Sequence, residues 1–490
     1  METDTITDLT GLHTSEITSV APRAPRVSDA MLLTGTQAAK WLLRGVFVLI
    51  LARALGPAEF GVYALLYAMV EFLAVASGTG YADYLTREAA KDARVGWGLA
   101  FQLMVLRIAI AIPVVIIEIA VLSVLRYPHR VLAGTAWLAL TLIPRSLSEA
   151  VQGVLRGIDR YKSYLAIEVT LGAGLVAGGG LLLVRNGGLR IAVQTEIAAA
   201  GIAGLLAVGL GLRFKTRETI GLKGSMLLKK SAVFNLYSFI GSLYDRFDVV
   251  LLSRLAGDYP TGIYSVAYRA LGMTQILAYG VLYSLLPSLS RNATGPEERR
   301  RMEKAIGLLL SAAFVLVLGA MVFAGPVVRL LLGVRYAESA VALKVLIWAV
   351  ILRYVNYALN IELLAAGLER VFVMTTLVCL TVNFVGNLIF IPMFSWRAAA
   401  AMTITTELVL LGQNVFWVKR TRRGVSLSWG MARNSLVFVF LLALAMAGGY
   451  FGAPLAVGTA CIAIFATYLY YSGIYSEFLT VWSAERGPAA

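Results

Sequence analysis

Runs of roughly 18–25 apolar residues, long enough to span the hydrocarbon core of a bilayer, recur along the whole chain. Val131–Pro144, Leu165–Val184, Ile191–Leu212, Ala305–Phe323, Val371–Ile391 and Pro454–Tyr471 are examples, each extended by weakly polar flanks. A soluble domain of 490 residues needs far more charge to cover its surface than the 14% found here, against 59% hydrophobic residues and a mean hydropathy of +0.77. The pattern predicts an all-α integral membrane protein with about fourteen transmembrane helices. The spans are read at 31–52, 62–80, 97–124, 131–152, 164–184, 191–212, 231–253, 262–288, 305–329, 339–364, 371–391, 397–418, 434–451 and 454–475.

The net charge of +15 invites a nucleic-acid reading, but its distribution argues otherwise. The basic residues sit in short loops without aromatic interleaving or a recognised nucleic-acid module. Dense basic connectors are read at Arg213–Lys230, at Arg291–Lys304 with its run Arg299, Arg300 and Arg301, and at Lys419–Arg433. Lys and Arg in loops fall mostly on the N-terminal side of the membrane, so both termini are expected in the cytoplasm. Residues 1–30 are polar and include acids, which marks a cytoplasmic tail rather than a secretory signal; 479–490 form a second tail. Cys379 and Cys461 lie inside apolar runs, and His13 and His129 lack ligand spacing, so neither disulfide, metal nor cofactor is expected. No G-x-x-x-x-G-K-[ST] phosphate loop occurs, and Asn292-Ala-Thr294 is a sequon on the predicted cytoplasmic side.

An internal repeat organises the chain. Residues 48–68, VLILARALGPAEFGVYALLYA, overlay 249–269, VVLLSRLAGDYPTGIYSVAYR, at a constant offset of 201. Arg53, Gly56, Gly61, Tyr63 and Tyr67 meet Arg254, Gly257, Gly262, Tyr264 and Tyr268. A fainter echo pairs Gly157-Ile-Asp-Arg160 with Gly367-Leu-Glu-Arg370. The copies lie an even number of spans apart, so they are parallel repeats with a site at the interface between halves. The expected organisation is an N-lobe at 31–212, a linker at 213–230, a C-lobe at 231–418, a linker at 419–433 and two further helices within 434–478. The glycines are read as turn positions and the paired tyrosines as belt or packing residues. Gly174-x-x-x-Gly178 is read as a close-packing motif.

Several stretches resemble one family. LARALGPAEFGVYAL is similar to the LGP-x-x-[FY]-G-x-Y stretch of the polysaccharide-biosynthesis flippases. LLGVRYAESAVALKVLIWAVILRYVNYALNIELLAAGLER resembles the segment around their tenth helix, and IPMFSWRAAAAMTITTE their I-P-x-[FY]-G-x-x-G-A-A-x-A-T stretch, with Ser395 and Ala398 where glycine is usual. The resemblance covers most of 31–420. It implies the multidrug/oligosaccharidyl-lipid/polysaccharide exporter superfamily, with two six-helix lobes around a central cavity and transport by alternating access. It also implies a polyprenyl-pyrophosphate-linked oligosaccharide as cargo, moved from the inner to the outer leaflet of a bacterial-type plasma membrane. Membrane lipids, a glycan polymerase and glycosyltransferases of the same pathway are then the expected partners.

Charges at bilayer depth usually face a cavity or a partner. Gln37, Lys40 and Arg44 share one face of the first span, with no acid beside them. Arg145, Glu149 and Gln152 share a face of the fourth, and Arg353, Asn356 and Asn360 of the tenth. The seventh span carries Asp245, Arg246 and Asp248, and the eighth Arg269; Glu71, Arg107, Glu118, Glu362 and Glu407 stand alone. Under the resemblance, Lys and Arg suit phosphate oxygens and amides suit sugar hydroxyls. The substrate-binding candidates are Gln37, Lys40, Arg44, Arg145, Arg246, Arg269, Arg353, Asn356 and Asn360. Glu71, Asp245, Asp248 and Glu407 are the ion-coupling candidates. Arg145–Glu149 and Arg246–Asp248 are alternatively structural ion pairs. Two competing functions are a cation-coupled multidrug exporter and a membrane glycan polymerase or ligase. The cationic repertoire argues against cationic drugs, and the short loops argue against an enzyme with an extracytoplasmic site.

Overall fold

The computed structural model describes residues 27–78, 81–185, 187–214, 224–275, 277–278, 281, 296–420, 429–450 and 453–473. These residues are almost entirely helical, with no strand among them. Helices satisfy their own backbone polar groups, which a lipid environment cannot do. The N-terminal half comprises α1 (Val27–Ala76), α2 (Tyr81–Lys91), α3 (Ala93–Val124), α4 (His129–Ala139), α5 (Leu142–Gly157), α6 (Tyr161–Val184) and α7 (Leu189–Phe214). The C-terminal half comprises α8 (Gly224–Ala256), α9 (Asp258–Met273), α10 (Pro296–Leu332), α11 (Ala337–Leu346), α12 (Ala349–Ala365), α13 (Glu369–Phe394) and α14 (Trp396–Val418). Two more helices, α15 (Trp429–Tyr450) and α16 (Pro454–Tyr471), pack on α10. Phe314 and Phe438 stack there with centroids 4.3 Å apart, and Phe465 closes the cluster. Nine helices among the described residues are long and apolar enough to cross a membrane. The whole arrangement is consistent with about fourteen crossings.

Several boundaries differ from the sequence reading. The first two spans join in α1, which breaks only at Gly56 (φ 75°), followed by Pro57. Pro57 lacks a backbone donor and Gly56 tolerates positive φ, so the chain reverses without a loop. The fourth span divides into α4 and α5 at Leu140–Thr141, and the tenth into α11 and α12 at Ile347–Trp348. The run Arg299–Arg301 belongs to α10 rather than to a connector. The tail read at 1–30 overlaps α1 from Val27, and the connectors read at 213–230 and 419–433 run into α8 from Gly224 and α15 from Trp429; residues 1–26, 215–223, 421–428 and 479–490 and the Asn292 sequon lie outside the described residues.

The two repeat copies meet each other. Gly257 (φ 93°) precedes α9 as Gly56 precedes the second half of α1. A Cβ on Gly61 would collide with the Asp258 carbonyl, and one on Gly262 with the Pro57 carbonyl and the Gly61 nitrogen. Only glycine at both positions lets these backbones cross so closely. Around this crossing the halves are tied together. Arg53 donates to the Leu330 and Leu331 carbonyls at 3.1 Å, and Tyr336 donates to the Ala52 carbonyl at 2.8 Å. Arg130 pairs with Asp258 and, at 3.5 Å, with Glu59. This end of the bundle is therefore closed. Elsewhere Gly174 and Gly178 of α6 face Ala199 and Thr195 of α7, as close packing requires. Large apolar side chains such as Phe101, Ile112, Ile116, Leu388 and Met393 point outward, the reverse of a soluble protein.

The orientation proposed from the loop charges has a direct check. Cys379 and Cys461 are buried, so background thiol labelling is low. In intact cells, an impermeant maleimide added outside is expected to label His129→Cys, at the closed end, and to spare Thr219→Cys. Labelling of Thr219→Cys from outside would invert the topology.

Candidate functional site

A cavity of about 500 Å³ opens between the halves on the far side of the glycine crossing, and a smaller one of about 150 Å³ adjoins it. The larger is lined by six cations, namely Lys40, Arg44, Arg145, Arg156, Arg246 and Arg269, against the carboxylates Glu71, Glu149, Glu168 and Glu196. Trp41, Arg44, Arg246 and Arg269 line both spaces, and Asp245 lines the smaller.

Most of these charges are neutralised in place. Arg44 grips Glu196 of α7 with two parallel contacts, Nη1–Oε2 at 2.9 Å and Nη2–Oε1 at 2.8 Å. Its Nη2 also donates to the Tyr63 hydroxyl at 3.3 Å, and Tyr63 itself donates to Glu196. Lys40 reaches Glu168 of α6 at 3.4 Å. Arg145 pairs with Glu71 at 2.8 Å and Glu149 at 3.6 Å, and Arg107 with Glu149 at 2.5 Å. Gln37 donates to the Tyr164 hydroxyl at 3.3 Å. Arg156 turns to Asp83 at 3.2 Å.

Arg246 and Arg269 differ. Among the described residues neither makes an ion pair or a hydrogen bond. Instead both guanidinium groups lie 5.0 Å from the ring centroid of Tyr67, and Arg44 lies 4.5 Å from the same ring. Three guanidiniums, from α1, α8 and α9, thus surround one aromatic ring between the halves. Arg246 and Arg269 are only half-buried, at the cavity wall. A cation–π contact contributes about 0.5–2 kcal/mol, and three like charges around one ring repel one another, so an anion placed among them would relieve the repulsion.

The C-terminal half holds a second, sealed network. Arg353 is 4% exposed and pairs with Glu407 at 2.6 Å, while its Nη2 donates to Tyr268 at 3.3 Å. Asn356 donates to both the Glu407 side chain and its carbonyl at 2.9 Å. Asp248 accepts from Tyr264 and from the Val249 amide.

The sequence-derived candidates therefore divide. Gln37, Lys40, Arg44, Arg145, Arg246, Arg269 and Glu71 come together at the larger cavity, with Asp245 beside it. Arg353 and Asn356 do not line either cavity but are buried in the C-terminal network, and Asn360 also lines neither. Lys40 and Arg44 do have acidic partners, supplied by α6 and α7 and thus invisible in the spacing along one helix. The alternative pair Arg246–Asp248 does not form, because Asp248 is taken by Tyr264; Arg145–Glu149 does form. Of the tyrosines read as belt or packing residues, Tyr63 and Tyr264 are packed, fully buried, and donate hydrogen bonds to carboxylates. Glu168, Glu196 and Arg156 escaped the sequence reading. One signal pointed to Glu196: Thr195-Glu196 and Gly201 repeat as Thr406-Glu407 and Gly412, at an offset of 211.

The profile of the polysaccharide biosynthesis protein family matches residues 50–341. The chain belongs to this family. It is similar to Agl15 of Haloferax volcanii, described as a probable low-salt glycan biosynthesis flippase, with 23% identity over 362 residues, 72% of this chain and 75% of that protein. The fold is similar to that of the lipid II flippase MurJ in an inward closed conformation, with a TM-score of 0.71, 12% identity, and coverage of 92% of this chain and 100% of the other. An inward-facing multidrug transporter of the MATE family gives a TM-score of 0.63 at 13% identity, covering 77% and 93%. The family member studied here is thus a multi-pass membrane protein with the fold of these transporters.

The two networks predict different responses to truncation. Arg353→Met strands Glu407 in a sealed interior and is expected to destabilise by about 3–5 kcal/mol. Arg269→Met strands no partner among the described residues and should stay within about 1 kcal/mol of the parent. Thermal unfolding of the purified variants in one detergent checks the ranking.

Proposed function

We propose that the protein flips a polyprenyl-pyrophosphate-linked oligosaccharide from the inner to the outer leaflet of the plasma membrane by alternating access, for cell-surface polysaccharide assembly. The observation that carries this reading is the guanidinium cluster of Arg44, Arg246 and Arg269 around Tyr67, two of whose members have no ion-pair partner among the described residues. A pyrophosphate provides the missing counter-charge, and Arg offers it paired donors. Gln37, Gln152 and Ser148, on the same cavity wall, are suited to sugar hydroxyls. The family match and the resemblance to a glycan flippase support the cargo class. The excess of cations disfavours a cationic drug as cargo.

In this reading both termini are cytoplasmic, the closed end faces outward, and the cavity is open to the inner leaflet. The lobes then correspond to 31–212 and 231–418. Glycosyltransferases load the lipid on the inner side and a polymerase consumes it outside. Asp245 is the ion-coupling candidate best placed for exchange with the cavity, while Glu71 is held by Arg145 and Asp248 and Glu407 are sealed in the C-lobe.

Energetically, a diphosphate diester carries about two negative charges, and its exit from a negative interior is favoured by about 2.3 kcal/mol per charge per 100 mV. The potential can therefore drive export without a phosphate loop. In proteoliposomes, collapsing the potential is expected to slow flipping of the lipid-linked sugar. Arg246→Gln and Arg269→Gln are each expected to lower the rate about tenfold or more, the loss of about 1.4 kcal/mol of anion stabilisation. Unchanged rates in both variants would refute the anion-site assignment.

A further inference from the structure

We infer that Glu196 is an internal stand-in for the phosphate of the cargo: it occupies Arg44 in the empty transporter, is displaced when the anion binds, and then takes up one proton, so that anion and proton travel together. The inference rests on the reading of the cavity as a polyprenyl-pyrophosphate site.

The contact between Arg44 and Glu196 has the geometry of an arginine holding a phosphate. Two parallel contacts of 2.9 and 2.8 Å use both terminal nitrogens. Those nitrogens are the donors an incoming phosphate needs, and Arg44 is the member of the Tyr67 cluster whose carboxylate partner is already in place. The anion cannot take the full fork without displacing Glu196. The other half provides a contrast. Glu407, at the corresponding Thr-Glu position, holds Arg353 from a non-equivalent span inside the C-terminal network, where the arginine is 5% and the glutamate 3% exposed. Arg44 is 21% exposed and, with Glu196, lines the cavity. The Arg353–Glu407 pair is enclosed; the Arg44–Glu196 pair is open to exchange.

Displacement leaves Glu196, whose side chain is 8% exposed, without its cation and near a bound anion. The groups that could compensate are few. From α1 it sees Arg44, Tyr63 and Tyr67. From α5 come Arg145, already held by Glu71 and Glu149, and Glu149 itself; from α6 comes Glu168, held by Lys40. The charged end of α4 carries His129 and Arg130, and Arg130 is engaged at the closed end with Asp258 and Glu59. Across the cavity Arg246 and Arg269 face the anion. Tyr63 already donates to Glu196 and would have to become a phenolate to give its proton away. The proton therefore comes from the bulk solution, relayed through the open cavity. The Arg44–Glu196 ion pair breaks, an Arg44–phosphate pair forms, and Glu196 becomes neutral. When the cargo leaves, the proton leaves and the ion pair re-forms. The empty cavity then returns with Arg44 neutralised, and each cycle exports one negative charge fewer than the cargo alone.

The test uses the full-length protein in detergent and farnesyl-diphosphate N-acetylglucosamine as probe. This diester has no phosphate titration between about pH 6 and 8. Binding is read from Trp41 fluorescence, since Trp41 lines both cavities, and protons from a pH indicator in weakly buffered solution. The wild type should take up about one proton per bound probe, with affinity falling by up to about tenfold per pH unit as pH rises. Glu196→Gln should bind without uptake and with a flat pH profile, and Glu196→Asp should restore uptake. Arg246→Gln should weaken binding while leaving the ratio at one proton. Binding to the wild type without proton uptake, or undiminished uptake by Glu196→Gln, overturns the inference while leaving the anion site intact. If the glutamine variant does not fold, the wild-type proton count still decides. A folded wild type that does not bind the probe overturns the site reading and this inference with it.

Discussion

A charge within a bilayer needs a counter-charge, and the polar interior of this protein is organised by that requirement. Several of its intramembrane arginines are placed against carboxylates on neighbouring helices: Arg44 with Glu196, Arg107 with Glu149, Arg145 with Glu71, Arg353 with Glu407. These pairs cross from helix to helix and so fix which faces meet. Arg246 and Arg269 stand apart from this arrangement, and they do so where the two halves face each other across a cavity. Among the described residues neither makes an ion pair, and the like charges gathered around Tyr67 would favour an anion drawn from the membrane surface.

Each half contains an arginine held by a glutamate that follows a threonine, Glu196 in one and Glu407 in the other, but the arginines come from non-equivalent spans and the contacting tyrosines, Tyr63 and Tyr268, are not matched positions of the repeat. The Glu407 pair is enclosed with Asn356, whereas the Glu196 pair lies at the cavity wall. The glycine crossing at Gly61 and Gly262 gives the halves a narrow contact at one end, with Arg53, Arg130 and Tyr336 as side-chain ties around it. Under the proposed alternating access, these ties would break while each half stays intact.

Much of this was legible from residue order. Apolar run length identified the membrane class because a bilayer imposes one span length. The offset that pairs Gly56 with Gly257 shows two parallel copies and turn glycines, but that Gly61 and Gly262 let the copies cross each other depends on tertiary packing and is not legible in one copy. The faces of Gln37, Lys40 and Arg44 were correct because helical spacing is local. What failed was what depends on neighbouring helices. Glu196 and Glu168 are far from Arg44 and Lys40 in sequence, so those cations looked unpartnered. Arg353 and Asn356 have the spacing of a cavity face, yet α14 covers that face and supplies Glu407. Tyr63 and Tyr67 read as belt or packing residues because nothing in one helix shows what the next will bring against it.

The most direct measurement of the central claim is a cryo-electron microscopy structure of the protein bound to an isoprenyl-diphosphate sugar. The account predicts phosphate density beside the Tyr67 ring, within hydrogen-bond reach of Arg44, Arg246 and Arg269, with Glu196 released from Arg44. Phosphate density elsewhere, with the Arg44–Glu196 fork intact and Arg246 and Arg269 unengaged, would contradict it.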